Sequence, residues 1–334
     1  MIRFLSIMVI SLLGLVPSTS LIFGEESKDL SQVFSLPPQK EVKQKVISGI
    51  FLSTLGRFDP IKRIINASFY AWWRTTDPTY HPDKTVEVVN TPDFKKHWVQ
   101  KGKVGSEYLT LARFFADISV LPDIRHFPFD RQKIIISLED VLYDMNSVEF
   151  VPDIKNSGIS KDLKLGGWIV KGFDITQTPY TYESNFGNSN YEHNTSSRLS
   201  MILEIKRLGF RIFFNSFTGF LLAAFLCMIT FCVDTSNLVA RSNIALGAIF
   251  LTIGNKYIID QTLPIVPVFT LIDAIQTSTF LIITAAVSTN VLCYGLSLKG
   301  SKKLSFFLNR FVGIFLSLGY ITYLSYKIYL AINS

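Results

Sequence analysis

Cysteine is scarce in this chain, and the positions of the few cysteines matter more than their number. The sequence has only three, Cys227, Cys232 and Cys293, and all of them lie inside long apolar runs. The rest of the chain therefore has no disulfide framework. Histidine is also rare, with four residues, and no Cys/His spacing matches a zinc site. We accordingly expect neither a metal nor a cofactor.

Charged residues are few as well. They make up 18% of the chain, whereas hydrophobic residues make up 48%, which is typical of a membrane protein with a substantial water-exposed part. The formal net charge is +7, but Lys and Arg are scattered, and membrane loops need basic anchors of their own. We expect a lipid bilayer as a partner and no nucleic acid. No Ser/His/Asp arrangement, phosphate-binding loop or paired carboxylate motif stands out, so we do not expect an enzyme.

The first 24 residues have the pattern of a secretory signal. Arg3 precedes the apolar run FLSIMVISLLGLV, which ends at Pro17 and is followed by small residues. We predict a signal peptide at residues 1–24, so that the mature chain begins outside the cytosol. An uncleaved membrane anchor is the alternative.

Residues 25–207 consist of strand-length segments separated by Pro, Gly, Asn and Asp. Eight segments are rich in β-branched and aromatic residues, namely VISGIFLSTL, IINASFYAWW, TVEVVN, EYLTLARFFADISV, KIIISLEDV, SVEFV, GWIVKGFDI and LSMILEIK. This pattern predicts an all-β sandwich.

Residues 208–334 contain four segments long and apolar enough to cross a bilayer, at about 210–233, 237–259, 268–292 and 304–332. The sequence therefore predicts a multi-domain membrane protein, in which an all-β sandwich outside the cytosol precedes a four-helix transmembrane bundle. The loop after the third span carries Lys299, Lys302 and Lys303, which places that loop in the cytoplasm.

The second span is a poor lipid-facing helix because it carries polar residues, including Arg241, Ser242 and Asn255. Such a span is costly in hydrocarbon unless it faces protein or water, so we expect it to be the innermost helix of an assembly. One helical face mixes small, polar and aromatic residues, and we predict that it lines a pore with Val239, Asn243, Gly247, Phe250, Gly254, Tyr257 and Gln261. A buried helix that tolerates polar residues for helix contacts is the alternative.

The most informative segment of the β-domain is VLPDIRHFPFDRQKI at residues 120–134. Pro128 between two aromatic residues forces a tight turn, with Asp130 and Arg131 at its tip. The motif FPFDRQ at residues 127–132 resembles the signature loop of pentameric ligand-gated ion channels, the Cys-loop receptor superfamily. Val120 and Ile134 stand where animal members have the two loop cysteines, so the resemblance is to the prokaryotic type.

The resemblance covers roughly residue 109 to the C-terminus, including Gly167-Trp168, the segment EIKR at residues 204–207 and all four spans. It implies a homopentamer in a bacterial inner membrane, with the N-terminal domain and the C-terminus in the periplasm and a pore for inorganic ions. It also implies that the β-domain gates the pore through a set of coupling residues, which are Asn66, Phe127, Pro128, Phe129, Asp130, Arg207, Pro264 and Pro267.

The sequence indicates the ion selectivity and the ligand less clearly than it indicates the fold. At the start of the second span, Val239-Ala240-Arg241 resembles the Pro-Ala-Arg of anion-selective relatives, so the sequence favours anions slightly over cations. The resemblance implies ligand-binding roles for Glu139, Tyr143, Tyr180, Tyr182 and Tyr191.

An aromatic cluster with a carboxylate suits an amine. However, the segment between Trp98 and Tyr108 is shorter than in most relatives, which leaves a small agonist, a proton and a divalent cation as alternatives. A non-conducting, membrane-anchored periplasmic receptor or assembly module is the alternative function.

Overall fold

A computed structural model of the chain describes residues 43–184, 186 and 194–333. The predicted signal peptide and Tyr191 lie outside the described residues. Residues 44–207 form an all-β domain apart from one short helix, and four long helices follow it.

The elements of the β-domain, in chain order, are β1 (Gln44–Asp59), β2 (Ile64–Thr75), α1 (Pro82–Thr85), β3 (Val86–Val88), β4 (Phe94–Val104), β5 (Glu107–Ser119), β6 (Arg131–Asp140), β7 (Val148–Pro152), β8 (Gly158–Ile159), β9 (Trp168–Tyr182) and β10 (Asn194–Arg207). One sheet has the order β4-β5-β2-β1-β7, with β8 also paired to β1. The second sheet has the order β3-β6-β10-β9.

The two sheets enclose one hydrophobic core. Phe69, Trp73 and Phe114 from the first sheet and Ile136 and Leu203 from the second are all buried in the same cluster. Alternate residues of a strand point to the same face, and the buried hydrophobic residues of β10 follow this rule at 199, 201, 203 and 205. The domain is a β-sandwich, and the predicted fold class is confirmed.

Each of the eight segments predicted as strands overlaps a strand, although only Val86–Val88 of TVEVVN is one, and the sequence analysis missed β4 and β8. Strand β4 pairs with β5 through a hairpin whose turn contains Gly105, with a φ of 64°. A positive φ favours glycine at such a turn. Because β4 is an edge strand exposed along most of its length, it lacks the alternation that identified the other strands.

The long helices are α2 (Gly209–Thr230), α3 (Leu238–Asp260), α4 (Leu271–Leu298) and α5 (Lys302–Asn333). The shortest has 22 residues, about 33 Å at 1.5 Å per residue, enough to cross the hydrocarbon core of a membrane. All four are apolar enough to span a bilayer, and α3 has the lowest mean hydropathy, 1.3 against 2.1 for α2. The chain is therefore a multi-pass membrane protein.

Candidate functional site

The face of α3 that the sequence singled out is left uncovered by the other helices of the chain. Val239, Phe250 and Tyr257 are 72%, 71% and 67% exposed. Asn243, Gly254 and Gln261 are exposed too, whereas Gly247 is half-buried. Sequence reasoning missed Leu246 and Ile253, which are also exposed and make the face more apolar.

The opposite face of α3 packs against α2 and α4 through small residues, with Ala245, Ala248 and Thr252 buried. The contacts of Asn255 explain why this span has a polar residue outside the predicted pore-lining face. Its amide donates to the Ser216 carbonyl (2.8 Å) and accepts from the Gly219 N–H (3.2 Å), both on α2. A Cβ at Gly219 would lie 2.6 Å from the Asn255 oxygen, so glycine permits this close approach.

Arg241 is placed differently from the expectation that it would charge the pore mouth. Its side chain is fully buried within the chain's own helices. Its Nε donates to the Thr230 carbonyl (2.9 Å) at the end of α2, and its Nη2 contacts the amide oxygen of Asn309 on α5. The guanidinium thus ties three helices together and faces away from Val239. Ala240, the middle residue of the proposed selectivity motif, is half-buried.

An ion pair lies within the β-domain, directly before the start of α2. Arg207, the last residue of β10, donates from Nε to one carboxylate oxygen of Asp130 (2.7 Å) and from Nη2 to the other (3.0 Å). The side chains of Asp130 and Arg207 are 1% and 12% exposed. Gln132 donates to the same carboxylate (2.6 Å). A bidentate pair of this kind fixes the geometry of both residues.

Aromatic rings enclose this pair and connect it to α2. The guanidinium of Arg207 lies 4.1 Å from the ring centroid of Trp168 and 5.1 Å from that of Phe127. Phe129 packs against Phe210 and Phe213 at the start of α2. The motif at residues 127–132 therefore packs directly on the first membrane helix. Pro128 itself is buried, and its peptide bond with Phe127 is cis.

Two further contacts connect the β-domain to the helices. The Leu271 N–H at the start of α4 donates to the Arg125 carbonyl (2.8 Å), and Lys206 donates to the Ile332 carbonyl near the end of α5 (3.2 Å). Sequence reasoning missed both, because a backbone carbonyl leaves no residue-type signal.

The remaining predicted coupling residues lie outside these contacts. Pro264 is half-buried and Pro267 exposed in the loop between α3 and α4. Asn66 on β2 contacts Asp117 on β5.

Three predicted ligand residues come together with an arginine that the sequence reading did not include. Glu139 is buried, accepts from the Tyr182 hydroxyl (2.7 Å) and is paired with Arg198. The Arg198 guanidinium lies 3.5 Å from the centroid of Tyr180. Arg198 already contacts both the Glu139 carboxylate and the face of the Tyr180 ring, so an amine ligand would have to displace Arg198.

The electrostatics of this cluster follow from burial. Burial, together with the neighbouring Glu139 carboxylate, raises the pKa of Tyr182 to about 12. Tyr143, another predicted ligand residue, packs edge-on against Tyr80. Across the described part of the chain, no three His, Cys, Asp or Glu side chains are grouped as a metal site.

Comparison with protein-family models finds no match to this chain, and comparison with curated proteins finds none either. What is established is the architecture, a β-sandwich followed by four membrane-length helices, which is compatible with the layout of a pentameric channel subunit.

Proposed function

We propose that this chain is the subunit of a homopentameric, ligand-gated ion channel whose pore is lined by α3. The observation that carries the proposal is the uncovered face of α3, which combines Asn243 and Gln261 with Phe250 and Tyr257 on a membrane-length helix. Polar groups at membrane depth face protein or water. One helix encloses nothing, so a closed ring of identical subunits supplies the water-filled path.

Within such a ring, Phe250 is placed to form the gate. It lies at the middle of α3, and a ring of apolar side chains at mid-membrane closes a pore by excluding water. Gly247 and Gly254 lie one turn to either side and widen the path. The role of Phe250 does not depend on the number of subunits, and the sequence resemblance is what supports five.

The proposed gating route runs through the Asp130–Arg207 junction. A movement of β6 or β10 acts on this pair and, through Phe129, on the start of α2. We place the β-domain in the periplasm, on the basis of the predicted signal peptide and the lysines of the α4–α5 loop. The Glu139–Arg198–Tyr182 cluster is the proposed ligand-responsive site, and an amine, a proton and a divalent cation are its candidate agonists.

The proposed preference for anions now rests less on Arg241 than the sequence indicated. A buried guanidinium from each subunit, in the first turn of α3, still contributes a positive potential in a low-dielectric region. It does not contact the ions. Val239 and Asn243 are the exposed residues at this end of the face, so direct contact with the ions falls to them.

Single-channel recording in planar bilayers tests the proposal. The purified full chain should show unitary currents, and Phe250→Ala should raise the basal open probability or the conductance, because it removes the apolar ring. Phe315→Ala is the matched control, since Phe315 is equally exposed, at 68%, but lies on α5. Electrical silence of the assembled protein in ligand, pH and voltage screens would instead leave a membrane-anchored receptor as the function.

A further inference from the structure

Arg241 carries a positive charge inside the four-helix part of the chain. Its side chain is fully buried. Among the residues that the structure describes, no carboxylate forms an ion pair with it, and Asp234, in the turn between α2 and α3, is exposed. A buried charge is costly unless an opposite charge offsets it. The described part of the chain supplies no such charge to Arg241.

The hydrogen-bond acceptors that the neighbouring helices offer to this guanidinium are neutral. The Thr230 carbonyl and the Asn309 amide oxygen accept from Nε and Nη2. Thr230 is the last residue of α2, and the negative end of a helix dipole corresponds to only about half an elementary charge. Nη1, the third nitrogen of the guanidinium, is buried with no hydrogen-bond partner among the described residues. A ligand that completes this site must therefore accept hydrogen bonds and carry negative charge.

The surroundings of the guanidinium restrict the size of this ligand. Thr230, Asn309 and Cys293, which lies beside Arg241, are all buried. Ser305 is buried too, and its hydroxyl donates to the Cys293 carbonyl (2.7 Å). A lipid phosphate or an organic carboxylate needs an open path for the group attached to it, whereas a monatomic anion does not. A water molecule satisfies Nη1 but leaves the charge without an opposite one.

We propose that the interior of the four helices binds a chloride ion at Nη1 of Arg241. The ion accepts hydrogen bonds from Nη1 and offsets the buried positive charge. It lies inside one subunit, behind the face of α3 on which Val239 is exposed, so it is not a permeating ion. Binding does not depend on conduction. The bound ion also lowers the positive potential that Arg241 contributes to the pore, and this consequence alone rests on the proposed function.

Diffraction from crystals of the full chain grown in sodium bromide tests the position of the ion. Bromide replaces chloride in such a site, and its anomalous scattering distinguishes it from water. We expect an anomalous peak at hydrogen-bond distance from Nη1 of Arg241. Density for a water molecule there, or no peak beside Arg241, would overturn the proposal.

Thermal unfolding of the full chain in detergent tests whether the ion stabilises the fold. Replacing sodium chloride with sodium gluconate at constant ionic strength should lower the unfolding temperature by about 2 °C or more, because a ligand of the folded state alone stabilises it. Arg310→Gln removes an exposed positive charge next to Asn309 on α5 and should keep this chloride dependence. The folded fraction of Arg241→Gln should lose it. Equal unfolding temperatures of the wild-type chain in the two salts, or an unchanged chloride dependence in Arg241→Gln, would also overturn the proposal.

Discussion

Polar side chains buried within the four helices differ in whether their polar atoms have hydrogen-bond partners. The amide of Asn309 contacts Arg241 through its oxygen and donates to the Phe231 carbonyl (2.8 Å). Asn290 on α4 is 2% exposed, yet neither its amide nitrogen nor its amide oxygen has a partner among the described residues. An unsatisfied buried polar group costs about 1–3 kcal/mol.

We therefore predict that Asn290→Leu raises the stability of the protein by about 1 kcal/mol or more, because it replaces an unpartnered amide with an apolar side chain of similar size. Asn309→Leu is the control and should destabilise, because it leaves Arg241 and the Phe231 carbonyl without their partner. Thermal unfolding of the full chain in detergent measures both. Equal destabilisation by the two substitutions would contradict the prediction.

The raised pKa of Tyr182 predicts that the stability of the folded chain depends on pH at high pH. Its pKa in the folded chain, about 12, lies above the ordinary value of 10.0. A pKa raised by folding contributes stability that is fully present below the unfolded value and is lost as the pH rises through the folded value. The contribution should therefore disappear between about pH 10 and pH 12. Tyr182→Phe should flatten the dependence of unfolding free energy on pH in this window, and an unchanged slope would speak against it.

At the scale of elements, the connection between β10 and α2 is the tightest link between the two parts of the chain. Gly209 begins α2 directly beside the Pro128 carbonyl, and a Cβ there would clash with that backbone atom. The Arg207 N–H donates to the Asp130 carbonyl (3.1 Å), next to the ion pair of their side chains. The motif at residues 127–132 thus holds the start of α2 through its backbone, its charges and its rings.

Breaking this ion pair on one side should be costly. Asp130→Asn or Arg207→Gln should each lower the free energy of unfolding by about 3 kcal/mol, because the remaining charge stays buried without its partner. The double variant should lose less than the sum of the two. The exposed pair Arg131–Glu204, at 3.6 Å, is the control, and Glu204→Gln should cost less than about 1 kcal/mol. Equal losses at the two pairs would refute a special role for the junction.

At the scale of the whole molecule, the channel that we propose needs other subunits to complete the α3 face, and its selectivity is a property of that proposed assembly. Val239 is exposed on the face and Arg241 is buried behind it. Substitutions at these two neighbouring positions should therefore have different consequences.

We predict that Val239→Glu shifts the reversal potential in a salt gradient toward cations, because it adds a ring of carboxylates in contact with the ions. Arg241→Gln should instead lower the yield of folded protein, because the Thr230 carbonyl and Asn309 lose their charged donor. Recording reversal potentials of reconstituted protein, together with size-exclusion profiles, separates the two effects. If Arg241→Gln shifted the reversal potential at an unchanged yield of folded protein, Arg241 would contact the ions and the prediction would be wrong.

The sequence by itself determined the two-part architecture, because alternation in the strands and long apolar runs in the helices are local patterns. It also located the uncovered face of α3, since a periodicity of 3.6 residues is enough to identify one side of a helix. The resemblance at residues 127–132 brought Asp130 and Arg207 into the same hypothesis, and the fold places them in contact.

Only the tertiary structure decided where Arg241 and Arg198 point. An arginine on a helix has the same sequence signature whether it faces water or the neighbouring helices. Its direction is set by partners distant in the chain, such as Asn309 for Arg241 and Glu139 for Arg198. Strand β4 was missed for the same reason, because an exposed edge strand is defined by its pairing with β5 and not by its own hydrophobic pattern.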